Sequence, residues 1–284
     1  MESAHEFGPF LLAFASALVG AKIFGELADR MGQPSVLGEL VAGAILGPSV
    51  LGLVPLSAGI ALVAEIGVVL LLFEVGLETD LEELKRVGLP ALTVAVVGMF
   101  LPFVGGYALT RLAGFSVLVS IFAGAAMTAT SISITARVLS ELGALASREG
   151  QIILGAAVAD DVLGLVVLAV VSQLANGAGL DAAVIVRSTG LAIGFLLLAL
   201  VLGIPIGHRL VREVGRTRVR GVLVVASVAF ALLVAWGAQR AGSAPIVGAF
   251  AAGLVLARTN RRHDINRALA PIVDLFGPIF FVSV

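Results

Sequence analysis

The chain has 284 residues and a formal net charge of −1. Residues of the AVILMFWYC set make up 59%, charged residues 13%, and mean hydropathy is +1.11, against roughly 45–50% apolar and about 25% charged in soluble domains. This excludes a water-soluble fold, which could not hide so much apolar surface; the charge balance gives no basic domain for nucleic acid, and zero cysteines exclude a disulfide framework or a Cys-ligated metal.

The runs are continuous rather than alternating, so the spans are helices and not barrel strands. The fold class expected is therefore an all-α polytopic membrane protein. Met1–Pro9 contain no Lys or Arg, so the basic start of a secretory signal is missing and the first apolar run reads as a retained span. Ten segments follow in chain order. They are Phe10–Phe24, Val36–Leu53, Ile60–Leu77, Leu89–Leu112, Val117–Leu139, Ile152–Leu174, Ala182–Ile206, Val222–Gln239, Pro245–Ala257 and Ile272–Val284. Thirty-four glycines, about 12% against a usual 7%, predict helices packed closely through small residues.

The loops set the orientation. Fifteen of the 18 basic residues fall on the first, third, fifth, seventh and ninth connections, and only Arg111, Arg187 and Arg240 on the others. The positive-inside rule then puts the odd connections in the cytoplasm and the N-terminus outside. The Arg-rich stretch His208–Arg220 reads as a solvated, topology-setting loop. His5, His208 and His263 fall at the terminus or in loops and suggest no metal site.

An internal repeat is visible. Val36–Leu46 and Ile246–Leu256 align with Gly38 on Gly248, Gly43 on Gly253, Ala42 on Ala252 and Leu46 on Leu256, an offset of 210. The following segments align Leu72–Val75 with Phe281–Val284 at 209. The second and ninth segments cross in opposite senses, so the repeat is of inverted topology, a plan common to secondary transporters. The first repeat is expected over 36–174. Its partner starts at 246, is incomplete at 284, and calls for three further helices. All of 1–284 reads as one transmembrane domain.

Most acidic residues sit in loops or at helix ends. Glu39 lies near the start of the second segment and Glu65 opens the third; both suit packing or capping roles. Glu74 is buried near the cytoplasmic end of the third segment, and Asp274 is placed at a helix start. Asp160 and Asp161 differ: they lie roughly 12–13 Å into a 30 Å core, where each charge costs about 2.5–3.5 kcal/mol. No cation neighbours them in sequence. Burial and a like-charged neighbour both favour the neutral form of a carboxyl, so a proton and a small cation compete for such a pair. Competition for one site is the minimal requirement of an antiporter. The preceding segment adds Thr128, Thr130, Ser131, Ser133 and Thr135, five hydroxyls in nine residues. Such hydroxyls loosen helices, and an unwound stretch there would offer carbonyls and half-helix ends to an ion.

Gly38-Glu39, Ala42-Gly43, Gly47-Pro48, Leu71-Leu72-Phe73, Gly76-Leu77-Glu78, Thr130-Ser131, Thr135-Ala136-Arg137 and Ala159-Asp160-Asp161 together resemble the bacterial monovalent cation:proton antiporters. The branch resembled is that of the sodium/proton exchangers related to Kef-type potassium efflux systems. The resemblance implies an inverted-repeat fold with discontinuous helices, a homodimer with a dimerisation domain and a mobile core domain, and residence in the inner (cell) membrane. It implies an ion and proton site of Asp160, Asp161, Thr130 and Ser131, with Asp161 the essential carrier; the residues themselves add Thr128, Ser133 and Glu74 as supporting candidates. The transported cation is Na+ or Li+, no cofactor is called for, and the partners are the cation, the proton and the bilayer. The family adds three helices, including a basic partner for the acidic pair, beyond the point this chain reaches. Alternatives are K+/H+ exchange of the Kef type and a non-transporting relative. An intramembrane aspartyl protease is disfavoured, because it needs its two aspartates on separate helices.

Overall fold

A computed structural model describes residues 2–55, 57–79, 82, 86–128, 130–175, 182–214, 216, 217, 219 and 221–283. The described residues form helices and connections, with no strand among them. In order the helices are α1 (Glu2–Arg30), α2 (Ser35–Leu46), α3 (Ala58–Glu78), α4 (Gly88–Leu112), α5 (Val117–Ala126), α6 (Ile132–Glu141), α7 (Arg148–Ala175), α8 (Ala182–Val214), α9 (Val222–Arg240), α10 (Pro245–Ala257) and α11 (Arg262–Ser283). Among the described residues, six of these (α1, α3, α4, α8, α9 and α11) contain stretches long and apolar enough to cross a membrane.

Several boundaries depart from the sequence expectation for local reasons. The expected fifth segment is two helices, α5 and α6. The second stops at Leu46 instead of Leu53, because Gly47 is extended at ψ 179° ahead of Pro48, the backbone that a following proline imposes. The last helix starts at Arg262, ten residues earlier than expected. Its first turns are charged outside, but Ile265, Leu269 and Val273 form a buried stripe at four-residue spacing. Amphipathic spacing, not mean hydropathy, is the signal that finds it. Asp274 is therefore an exposed mid-helix residue and not a helix-start residue. Glu65 lies in the second turn of α3, exposed, and His208 and His263 fall inside helices α8 and α11.

The core is centred on α3 and α10. Gly67–Phe73 in α3 and Val247–Leu256 in α10 are buried without interruption, as expected of helices enclosed on all sides. α3 packs on α10 and α11, α1 on α2, and α9 on α10. The remaining layer, α4, α5 and α7, packs mainly on itself, with α6 bridging it to α3 and α2.

Glycines set the crossings. A Cβ on Gly253 would strike the Phe73 carbonyl oxygen, and one on Gly76 the Phe250 carbonyl oxygen, so α3 and α10 touch backbone to backbone. These contacts recur at the offset seen in the sequence. Gly43 of α2 meets the Val282 carbonyl as Gly253 meets that of Phe73; Gly38 meets the Phe24 carbonyl as Gly248 meets that of Val234. The turn before each pair repeats bond for bond. Gly32 and Gly242 have φ 71° and 79°, and the amides of Gln33 and Ser243 donate to the Ala28 and Ala238 carbonyls at 3.0 and 2.9 Å. The correspondence therefore reaches back through α1 and α9, which is earlier than Val36.

Candidate ion site

The site is built where α5 and α6 fail to join. α5 ends on Met127 and α6 is capped by Ser131, whose hydroxyl accepts the Ile134 amide at 3.4 Å. Between them the Thr128 hydroxyl donates to the Ala125 carbonyl at 2.8 Å, and that of Thr130 to the Thr128 carbonyl at 3.3 Å. The cluster of hydroxyls thus diverts backbone acceptors away from a continuous helix, as their local bonding favours. The negative end of α5 and the positive end of α6 meet at the break.

α7 presents the carboxylates. It is 28 residues long, and Asp161 stands at its centre. Asp160 is 9% exposed, and the Thr130 side chain lies beside its carboxylate. Asp161 lies beside it, close enough for the two charges to repel. Its Oδ2 is buried with no hydrogen-bond partner among the described residues. Neither aspartate forms an ion pair there either. A buried carboxylate oxygen without a partner is costly.

Two cavities flank the pair along α7. One, about 410 Å³, is lined by Thr128, Thr130, Asp160, Asp161 and residues from Gly164 to Val171. The other, about 160 Å³, is lined by Thr130, Thr135, Asp160 and residues from Ile153 to Ala157. Thr130 and Asp160 are common to both, and so form the partition between them. Apolar walls, including Met99 and Phe122 in the larger cavity and Val94 in the smaller, leave these few oxygens as the polar features.

The structure thus brings together Asp160, Asp161, Thr128 and Thr130. Ser131 adjoins the break but its hydroxyl is used in capping α6, and Ser133 is buried without lining either cavity. Glu74 stands apart. Its charged neighbours are Glu78, Arg137 and Asp274. Glu39, 2% exposed, faces Arg137, Lys22, Glu141 and Asp274, and its Oε2 has no hydrogen-bond partner among the described residues. Arg137 is thus a shared counter-charge for the buried Glu39 and the half-buried Glu74. Sequence reading identified Arg137 only as a loop-end cation and a family motif residue; its spacing of four from Glu141 was the available signal.

The sodium/hydrogen exchanger transmembrane family matches residues 13–284. The high-affinity Na(+)/H(+) antiporter NhaS3 of Synechocystis sp. is 39% identical, in an alignment covering 100% of this chain and 70% of that protein. The Na(+)/H(+)-K(+) antiporter GerN of Bacillus cereus is 36% identical over 97% of this chain and 70% of its own length. Among solved structures, the sodium proton antiporter MjNhaP1 of Methanocaldococcus jannaschii superposes with a TM-score of 0.67 at 17% identity, covering 97% of this chain and 70% of that one. The shared fold follows from the last comparison; the first three bear on ancestry, and all name transporters rather than enzymes. With its apolar helices and this match over nearly its whole length, the chain is a multi-pass membrane protein belonging to the sodium/hydrogen exchanger family.

Proposed function

We propose that the protein exchanges protons for a monovalent cation across the inner membrane, with Na+ or Li+ as the cation and Asp161 as the carrier. The observation that carries this reading is the pairing of an interrupted helix with two adjacent mid-helix aspartates, one oxygen of which is buried with no hydrogen-bond partner among the described residues. Cation and proton are alternative occupants of that oxygen: an arriving cation neutralises the pair and frees the proton, and the reverse step restores it. Asp160, beside Thr130, lies against the break and supplies a second oxygen. Thr128, Ser131 and Ser133 support it, Ser131 by fixing the start of α6. Glu74 acts outside the ion's immediate shell.

The two cavities that share Thr130 and Asp160 suit alternating access, since the partition separates space toward one end of α7 from space toward the other. We assign the Arg-rich connections to the cytoplasm and the N-terminus to the outside. We also read α1–α3 and α9–α11 as the corresponding starts of an inverted repeat, extending back past 36 and 246. They form the scaffold of a homodimer, and α4–α7 belong to the mobile core.

The test is reconstitution of the protein, expressed from its full reading frame, into vesicles with an imposed pH gradient. Dissipation of the gradient by Na+ and Li+ supports the proposal; no cation response overturns it. A K+ response stronger than the Na+ response selects the second reading, K+/H+ exchange, which the name of the Bacillus cereus relative also favours.

A further inference from the structure

A third cavity has the opposite chemistry to the ion site. It measures about 630 Å³ and lies between the end of α8 with the turn after it, which supply His208, Arg212 and Arg216, and the α10–α11 connection, which supplies Arg258, Asn260 and Arg261. Among the described residues no carboxylate lines it. The acids near these arginines pair with them at distances of 3.0–3.7 Å: Glu213 with Arg212 and Arg216, Glu82 with Arg258, and Asp264 with Arg261.

Those pairs are solvent-exposed, with side-chain exposures of 36–70%. Exposed pairs of this kind are held weakly, so a guanidinium can leave its carboxylate at little cost. Four guanidiniums from two elements then face one volume. Planar guanidiniums bind phosphate oxygens two at a time, as an ammonium cannot. The first turn of α11, starting at Arg262 beside the cavity, adds the positive end of a helix dipole. The volume is that of an ordinary ligand cavity. In a multi-pass protein, a basic pocket at helix ends lies at the depth of lipid headgroups.

We propose that this arginine basin binds a phosphate group, presented by an anionic phospholipid headgroup or free in solution. The binding is independent of the exchange reaction and persists if that reading fails.

The purified protein in neutral detergent is tested by native mass spectrometry with phosphatidylglycerol and with phosphatidylcholine, and by thermal unfolding with inorganic phosphate at fixed ionic strength. The variants are R212Q/R216Q and R258Q/R261Q, with R111Q/R187Q away from the basin as control. Each basin pair is expected to weaken binding at least about ten-fold, the loss of one charge-assisted hydrogen bond, and the control to leave it unchanged. Retention of phosphatidylglycerol over phosphatidylcholine, lost in the basin variants, supports the lipid source. A phosphate-induced rise in midpoint, lost in the same variants, supports free phosphate. Equal lipid retention by protein and basin variants, together with no basin-dependent response to phosphate, overturns the proposal. Because Arg212 and Arg216 are 65% and 70% exposed, their variant folds and keeps the test decisive if R258Q/R261Q does not.

Discussion

The Glu141 carboxylate at the end of α6 accepts hydrogen bonds from both the backbone amide, at 2.6 Å, and the hydroxyl of Ser35, the first residue of α2. It caps a helix 106 positions away in sequence and also pairs with Arg137 at 2.8 Å. The second half of the broken helix, α6, is thereby fastened to α2. Glu141→Ala removes both Ser35 bonds and the ion pair, and is expected to cost about 1.5–3 kcal/mol. Ser35→Ala leaves the amide bond in place and costs about 1 kcal/mol or less. Thermal midpoints in detergent check this order; a Ser35→Ala loss equal to that of Glu141→Ala contradicts it.

The glycine crossing of α3 and α10 makes a sharper stability prediction. Gly253→Val places side-chain carbon against the backbone of Phe73 and Gly76, and backbone cannot yield as a flexible side chain can. The expected cost is about 3 kcal/mol, read as lost monodisperse protein in size-exclusion chromatography. Gly98→Ala in α4, where nothing lies within 4 Å of an added Cβ, is expected to be neutral or to gain up to about 1 kcal/mol from helix propensity.

Much of this was legible beforehand. The aspartate pair stood out because two charges in an apolar run have no local compensation, and the hydroxyl cluster anticipated the break between α5 and α6. The start of α11 was not legible from hydropathy, because Arg262–Arg267 looks like a loop until the spacing of Ile265, Leu269 and Val273 is weighed. The correspondence of α1 with α9 was missed because lipid-facing apolar residues interchange freely. Ala21 with Ala231, Ala28 with Ala238, Arg30 with Arg240 and Gly32 with Gly242 carried it, and the left-handed turn explains the glycines. Glu74's separation from the aspartates depends on helix packing, which no local pattern encodes.

That separation is itself testable. Glu74 shares Arg137 with Glu39 rather than lining the cavities around Asp160. In the proposed exchanger, Glu74→Gln is expected to keep maximal exchange within about five-fold, since a charge remote from the ion changes its energy by about 1 kcal/mol or less. A null phenotype in vesicle exchange assays, from protein with an unchanged thermal midpoint, would return Glu74 to the ion site.

Competition between proton and cation also fixes the sign of the pH dependence. Lower pH fills the site with protons, so the apparent KM for Na+ rises as pH falls, by about ten-fold per unit where the protonated form dominates. Maximal exchange at saturating Na+ changes less. An apparent KM that stays constant across the active pH range contradicts a shared site.

The central claim rests on Asp161 as the carrier, and its most direct measurement is Na+-driven proton movement in vesicles holding Asp161→Asn. Asparagine keeps the size and polarity but can neither release a proton nor neutralise a cation. The account predicts that the variant, inserted and folded as the parent, dissipates the pH gradient no faster than empty vesicles. Exchange at the parent's rate would contradict it.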